Sequence, residues 1–64
     1  MPEVLFEFVQ IGNSVKVTAI DPASGVEAVV VGSARLTRFS LQQAALRKLR
    51  RILENRLRAS AENA

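Results

Sequence analysis

Eight of the nine basic residues lie in the second half of the chain, and they are the residues whose type and number could carry recognisable chemistry. They are Arg35, Arg38, Arg47, Lys48, Arg50, Arg51, Arg56 and Arg58. Seven are arginines, and the planar guanidinium group binds phosphate oxygens through paired hydrogen bonds. The second half of the chain is therefore a candidate for contact with a nucleic-acid backbone. The candidate phosphate contacts are Arg47, Lys48, Arg50, Arg51 and Arg58.

Other features of the sequence favour a simpler interpretation of these charges. No aromatic residue is interleaved with the arginines as a stacking platform, and no helix-turn-helix, KH or RNP motif is matched. A row of charges on an exposed helix usually only keeps that face in water. We therefore favour a solvated face and keep nucleic-acid binding as the alternative.

The residue types that most enzymes use are missing. The chain has no His, Cys or Tyr, which removes the usual general bases, thiolate metal ligands and disulfides. No base adjoins any serine, and the carboxylates of Glu7 and Glu27 are predicted to lie apart, with Lys16 and Thr18 between them. We expect a non-enzymatic protein with no metal, no other cofactor and no small-molecule substrate.

The net charge of +3 is distributed unevenly. Residues 1–34 hold one base and four acids, for a net charge of −3, and residues 35–64 hold eight bases and two acids, for +6. This asymmetry favours an anionic partner for the basic half, or self-association between oppositely charged parts of two copies.

The basic residues lie on a segment with a helical period, from Ser40 to Arg58. Its apolar positions recur at spacings of three and four: Leu41, Ala45, Leu49, Ile52 and Leu53, with Leu46 and Leu57 beside them. Ser40 is the predicted N-cap, with Gln43 at capping-box spacing and Phe39 as a hydrophobic staple. We expect residues 59–64 to form a frayed tail.

Three predicted strands precede this helix, at residues 3–11, 14–20 and 26–31, and a linker follows at 32–39. Gly12-Asn13 suits a two-residue type II′ hairpin turn, which places Phe8 opposite Val17 and Glu7 opposite Thr18. The run from Asp21 to Gly25 is a second turn, with Gly25 in the left-handed position. The sequence therefore predicts one α+β domain over residues 1–64, a three-stranded antiparallel meander with one C-terminal helix packed on one face.

One helix covers only one face of such a sheet, and the other face is largely apolar. Its apolar residues are Leu5, Val9, Ile11, Ile20, Val29 and Val31, interrupted by Glu7, Lys16, Thr18 and Glu27. Apolar patches of this size commonly mark interfaces. We expect a symmetric homodimer, formed by stacked faces or by pairing of the first or third strand. The alternative is a monomer that the polar residues of this face keep in solution.

The sequence gives no sign of a membrane protein. Residues 1–11 have no basic start and carry Glu3 and Glu7, unlike a signal peptide, and no apolar run reaches the roughly 18 residues of a membrane span. Attachment of the basic helix to an anionic membrane surface would leave both faces of the sheet bare. We therefore expect a cytoplasmic protein.

Several short stretches together carry a family resemblance. They are Phe6-Glu7-Phe8, residues 10–13 (QIGN), residues 15–22 (VKVTAIDP), Gly25 with Glu27, and residues 45–49 (ALRKL). In this pattern the chain resembles a family of short bacterial proteins of unknown function. The resemblance implies a stand-alone bacterial cytosolic protein and transfers no catalytic residue.

Overall fold

The computed structural model describes residues 3–63 as three strands followed by one helix. The strands are β1 (Leu5–Ile11), β2 (Ser14–Ile20) and β3 (Glu27–Ser33), and the helix is α1 (Arg38–Asn63). The strands form one antiparallel sheet in the order β1-β2-β3. This is the predicted β-β-β-α architecture. Met1, Pro2 and Ala64, the outermost residues of the predicted domain, lie outside the described residues.

The first hairpin has the predicted turn and register. Gly12 has a φ of +60° and Asn13 does not have a positive φ, which is the type II′ combination. Because the two-residue turn fixes the pairing, Phe8 lies opposite Val17 and Glu7 opposite Thr18. A shift of one residue would have exchanged the two faces of the sheet.

The second turn is held together by the side chain of Asp21. Its carboxylate accepts hydrogen bonds from the Ala23 N–H at 3.2 Å and the Ser24 hydroxyl at 2.7 Å. Gly25 has a φ of +76°, the left-handed conformation predicted for it, and its N–H donates to the Asp21 carbonyl oxygen. The turn places Val17 opposite Val30 and continues the same division into two faces across β3.

The core lies between α1 and one face of the sheet, which we call the inner face. It contains Val17, Ala19, Val26, Ala28, Leu41, Ala45 and Leu49, all buried. Half-buried residues complete it: Val4, Phe6, Phe8, Val15, Val30, Ile52 and Leu53. The small side chains of Ala19, Ala28 and Ala45 allow the helix to pack closely on β2 and β3.

The helix begins two residues before the predicted start, with Thr37 and not Ser40 as its N-cap. The Ser40 N–H donates to Thr37 Oγ1 at 3.0 Å, and the Leu41 N–H donates to the Thr37 carbonyl oxygen. Phe39 is 70% exposed, so the prediction that it staples the helix start is wrong. Leu36 takes that place: it precedes the cap, and it lies with Leu41 against Gly32.

Several other predicted bounds also differ from the structure. The helix continues to Asn63, because Ala and Glu in its last turns favour a helix and no Gly or Pro there ends it. The predicted helix end at Arg58 is therefore too early, and residues 59–63, which were predicted to form a frayed tail, are helical. β3 extends through Gly32 and Ser33, which pair with Val15 and Ser14. β1 begins at Leu5, where its pairing with β2 begins.

Candidate interaction surfaces

The face of the sheet that points away from α1, called the outer face here, carries all of the residues predicted to form the association surface, namely Leu5, Val9, Ile20, Val29 and Val31. Cross-strand pairing arranges this face in four rows. The rows are Leu5–Ile20–Glu27, Glu7–Thr18–Val29, Val9–Lys16–Val31 and Ile11–Ser14–Ser33. Six of these twelve side chains are aliphatic, so the structure brings together the apolar set that the alternation predicted.

Most of these aliphatic side chains are in contact with solvent. Val29 is 40% exposed and Val31 is 67% exposed, Leu5, Val9 and Ile11 are also exposed, and Ile20 is half-buried. Burying a side chain of this size fully is worth about 1.5–3 kcal/mol. The outer face therefore holds apolar area that no part of residues 3–63 covers.

Thr18 makes the centre of the outer face less polar than its sequence indicates. Its flanking partners Glu7 and Val29 leave it only 6% exposed. The alternating pattern of the sequence predicted that Thr18 would help to keep this face in water. The pattern did not reveal that neighbouring side chains bury Thr18. Glu7, Lys16 and Glu27 are the charged residues of the face, and all three are exposed.

The candidate phosphate contacts do not form one uniform surface. Arg47, Arg51 and Arg58 are exposed and follow each other along one side of α1, with Glu54 between them at helical spacing. Arg50 is exposed beside this row. The structure therefore presents four of the five predicted residues together, with one carboxylate among them.

Lys48, the fifth residue of that set, is directed elsewhere. Its Nζ donates a hydrogen bond of 2.6 Å to the carbonyl oxygen of Val29. This contact holds the ammonium group at the outer edge of β3. No sequence pattern signalled it, because the two residues are nineteen positions apart.

The other basic residues near α1 lie outside this row. The Arg38 guanidinium group lies 4.2 Å from the centre of the Phe8 ring, a cation–π geometry. Arg56 lines a cleft with Asp21 and Leu57, where the helix passes the second turn. Arg35 is exposed in the loop before α1.

Within the described residues, clefts lie near the start of the helix and beside its C-terminal half. One of about 260 Å³ lies at the helix start and is lined by Phe8, Arg38 and Leu41 among others. The other, of about 450 Å³, is the cleft beside Arg56. Across residues 3–63, no group of three His, Cys, Asp or Glu side chains is placed to hold a metal ion.

The helix is amphipathic and highly charged. Within the described part of the chain, no helix has the length and apolar character needed to cross a membrane.

Comparison with known proteins gives one family match. The model of a domain of unknown function (DUF6898) matches residues 1–56. No curated protein and no solved structure matches the chain.

Proposed function

The chain belongs to the DUF6898 family, whose function is unknown, and from its surfaces we propose that it is a non-enzymatic interaction domain that associates with a second copy through the outer face. The observation that carries this proposal is the apolar outer face, which α1 leaves uncovered because it packs on the opposite side. A domain of this length has a small core and gains stability when a second copy covers such a face.

The charged residues of the outer face are also arranged so that they complement those of a second copy. Two sheets stacked through their outer faces can be related by a two-fold axis that lies between them and runs perpendicular to the strands. This axis places the row that contains Lys16 over the row of the second copy that contains Glu7. Each lysine then lies near a carboxylate of the other chain. The aliphatic side chains of Val9, Val29 and Val31 fill the space around these charges.

This proposal places the protein in the cytoplasm. The face is available whenever the chain is folded.

Replacing Val29 with Glu tests the outer face. We expect Val29→Glu to weaken self-association roughly a hundredfold, because a symmetric interface loses the burial of two valines and gains two carboxylates. Sedimentation equilibrium measures the change. Asn55→Glu is the matched control, since it adds the same charge at an exposed position on α1. Equal association of the two variants and the unmodified chain would exclude the outer face as the interface.

Binding of a phosphate backbone by α1 is the alternative function. The exposure of Arg47, Arg50, Arg51 and Arg58 favours it, and stacking of the outer faces would leave both helices free to bind. Replacing Arg47 and Arg51 with Glu should abolish binding to generic DNA or RNA without changing the mass of the protein. Replacing the same pair with Lys keeps the charge and should preserve most of the binding. No binding by the unmodified chain at low salt would exclude this alternative.

A further inference from the structure

The edge of β1 is a second surface, and no other strand within residues 3–63 pairs with it. In an antiparallel hairpin with a two-residue turn, hydrogen-bonded pairs alternate from the turn, so Ile11, Val9, Glu7 and Leu5 direct their N–H and C=O groups to β2. Phe6, Phe8 and Gln10 therefore direct theirs to the edge. At the two ends of β2, the Asp21 N–H donates to the Val26 carbonyl oxygen and the Ala34 N–H donates to the Asn13 carbonyl oxygen. These bonds show that alternate residues along β2 direct their backbone groups to the side of β3, while the residues between them bond to β1.

The edge of β1 has one charged side chain, Glu7, and lacks the other features that commonly protect an exposed strand. β1 is seven residues long, with the sequence LFEFVQI, and contains no Pro, Gly or Lys. The opposite edge of the sheet differs, because Lys48 Nζ binds the outward carbonyl oxygen of Val29 on β3. Of the two edges, β1 is therefore the less obstructed for pairing with another strand.

The dimensions of the outer face also call for a second contact. Three strands of seven residues form a face of about 14 Å by 24 Å, or roughly 340 Å². Each partner of a stable complex buries about 800 Å². Two faces joined edge to edge double this footprint, so the stacking of joined pairs covers more surface than the stacking of single domains.

We infer that β1 pairs antiparallel with β1 of a second copy, about a two-fold axis that passes beside Phe8. Phe8 then lies opposite Phe8 of the second copy, and Phe6 lies opposite Gln10. This register overlaps all seven residues of both strands and pairs every free N–H and C=O group of Phe6, Phe8 and Gln10.

The charge on β1 favours the same register. A shift of one strand by two residues, which moves the two-fold axis from Phe8 to Glu7, would place Glu7 directly opposite Glu7 of the second copy, and like charges directly opposite are destabilising. In the register centred on Phe8, Glu7 lies opposite Val9. The two Glu7 carboxylates are then not directly opposite each other.

The product is a six-stranded sheet with both helices on one side and both outer faces on the other. This pairing extends the proposed function, because two such sheets stacked through their outer faces make a tetramer with two kinds of interface. The unmodified protein then has four times the chain mass of 7.0 kDa.

Cysteine crosslinking tests the register. The chain has no cysteine, so Glu7→Cys and Val9→Cys each introduce one thiol. In the inferred register these positions form a non-hydrogen-bonded pair with Cα atoms about 4.5 Å apart, close enough for a disulfide. Stacked faces lie about 10 Å apart, too far for this bond.

We expect a disulfide-linked dimer when the two cysteine chains are mixed under mild oxidation, and little when either chain is oxidised alone. Crosslinking of the Glu7→Cys chain with itself would show a different register and overturn the inference. Absence of crosslinking in the mixture would overturn it as well.

A proline at Gln10 tests the edge in solution. Gln10→Pro removes an N–H that points away from β2, so it leaves the ladder within the chain intact. Gln10→Ala is the control, because it loses the same exposed side chain and its hydrogen bond to the Gly12 carbonyl oxygen but keeps the N–H. We expect Gln10→Pro to weaken the β1 contact about tenfold or more and Gln10→Ala to leave it nearly unchanged.

Amide hydrogen exchange gives a readout that needs no variant. Pairing of β1 predicts that the Phe6, Phe8 and Gln10 amides become protected as the protein concentration rises. Fast exchange of all three amides in the associated protein would contradict the inference.

The mass of each variant separates the two interfaces. If the unmodified chain is a tetramer, Val29→Glu should leave an edge dimer and Gln10→Pro a face dimer. A dimer that Val29→Glu dissociates and Gln10→Pro does not would end the edge inference and keep the proposed function. A dimer that Gln10→Pro dissociates and Val29→Glu does not would support the edge inference and exclude the outer face as an interface.

Discussion

The side chain of Lys48 occupies one of the backbone groups that face outward at the β3 edge of the sheet. Its aliphatic stem runs from α1 across β3, and its Nζ binds the Val29 carbonyl oxygen at 2.6 Å. This backbone group would otherwise be open to a strand of another chain. Lys48 therefore has a structural role within the domain, as Arg38 does through its contact with the Phe8 ring.

Removing the ammonium group should have a measurable cost. Lys48→Met keeps most of the stem and loses the hydrogen bond, so we expect the free energy of unfolding to fall by about 1 kcal/mol. Arg47→Met, at an exposed position on the same helix, should change it by less than about 0.5 kcal/mol. Urea denaturation of the two variants makes the comparison. Equal stabilities would mean that the contact contributes nothing in solution.

At the scale of the element, α1 is positioned by its first turn. Thr37 caps it, and Leu36 and Leu41 approach Gly32 from the side of the core. A Cβ atom at Gly32 would collide with Leu41 Cδ2 and lie 3.5 Å from Leu36 Cδ1. The glycine thus lets the helix start close to the end of β3.

The cap can be assigned by comparing two hydroxyl residues. Thr37→Ala should lower the free energy of unfolding by about 1 kcal/mol, because the Ser40 N–H loses its acceptor. Ser40→Ala removes only a longer hydrogen bond, of 3.3 Å, to the Thr37 carbonyl oxygen, so a loss below about 0.5 kcal/mol is expected. Thermal or urea unfolding measures both. A greater loss for Ser40→Ala would restore Ser40 as the cap.

The differences between predicted and observed elements have physical causes. The strand pairing was predictable, because Gly12-Asn13 and the run from Asp21 to Gly25 are turns whose chemistry fixes the register. The helix start was not, since Thr37 and Ser40 are both good caps and the choice depends on where Leu36 and Leu41 pack. The helix end was missed because no residue there ends it and propensity alone decided its length.

The candidate surfaces were predictable to different degrees. The alternation of residues along the strands predicted which side chains lie on the outer face. The turns fix the register, and the two-residue period of a strand then fixes the face on which each side chain lies. Two details required the folded chain. Thr18 is buried by its cross-strand partners, and Lys48 reaches a strand that is distant in sequence.

At the scale of the whole molecule, the apolar and the basic surfaces lie on opposite sides. The outer face is on the far side of the sheet from α1, and the row of Arg47, Arg51 and Arg58 lies on the helix. The helix has 26 residues, about 39 Å, whereas a strand of seven residues spans about 24 Å. Its C-terminal turns therefore extend beyond the sheet, and Leu57 there is 72% exposed.

This arrangement keeps the two proposed activities independent. Association through the outer face turns both helices outward, so charge reversal on α1 should leave the mass of the protein unchanged. Substitutions on the outer face should in turn leave the helix arginines accessible. The central claim is that the outer face is covered by a second copy.

Sedimentation of the unmodified full chain over a dilution series tests that claim most directly. The account predicts a species heavier than the 7.0 kDa chain at micromolar concentration, with a mass that falls as the protein is diluted. A mass of 7.0 kDa at every concentration would contradict it.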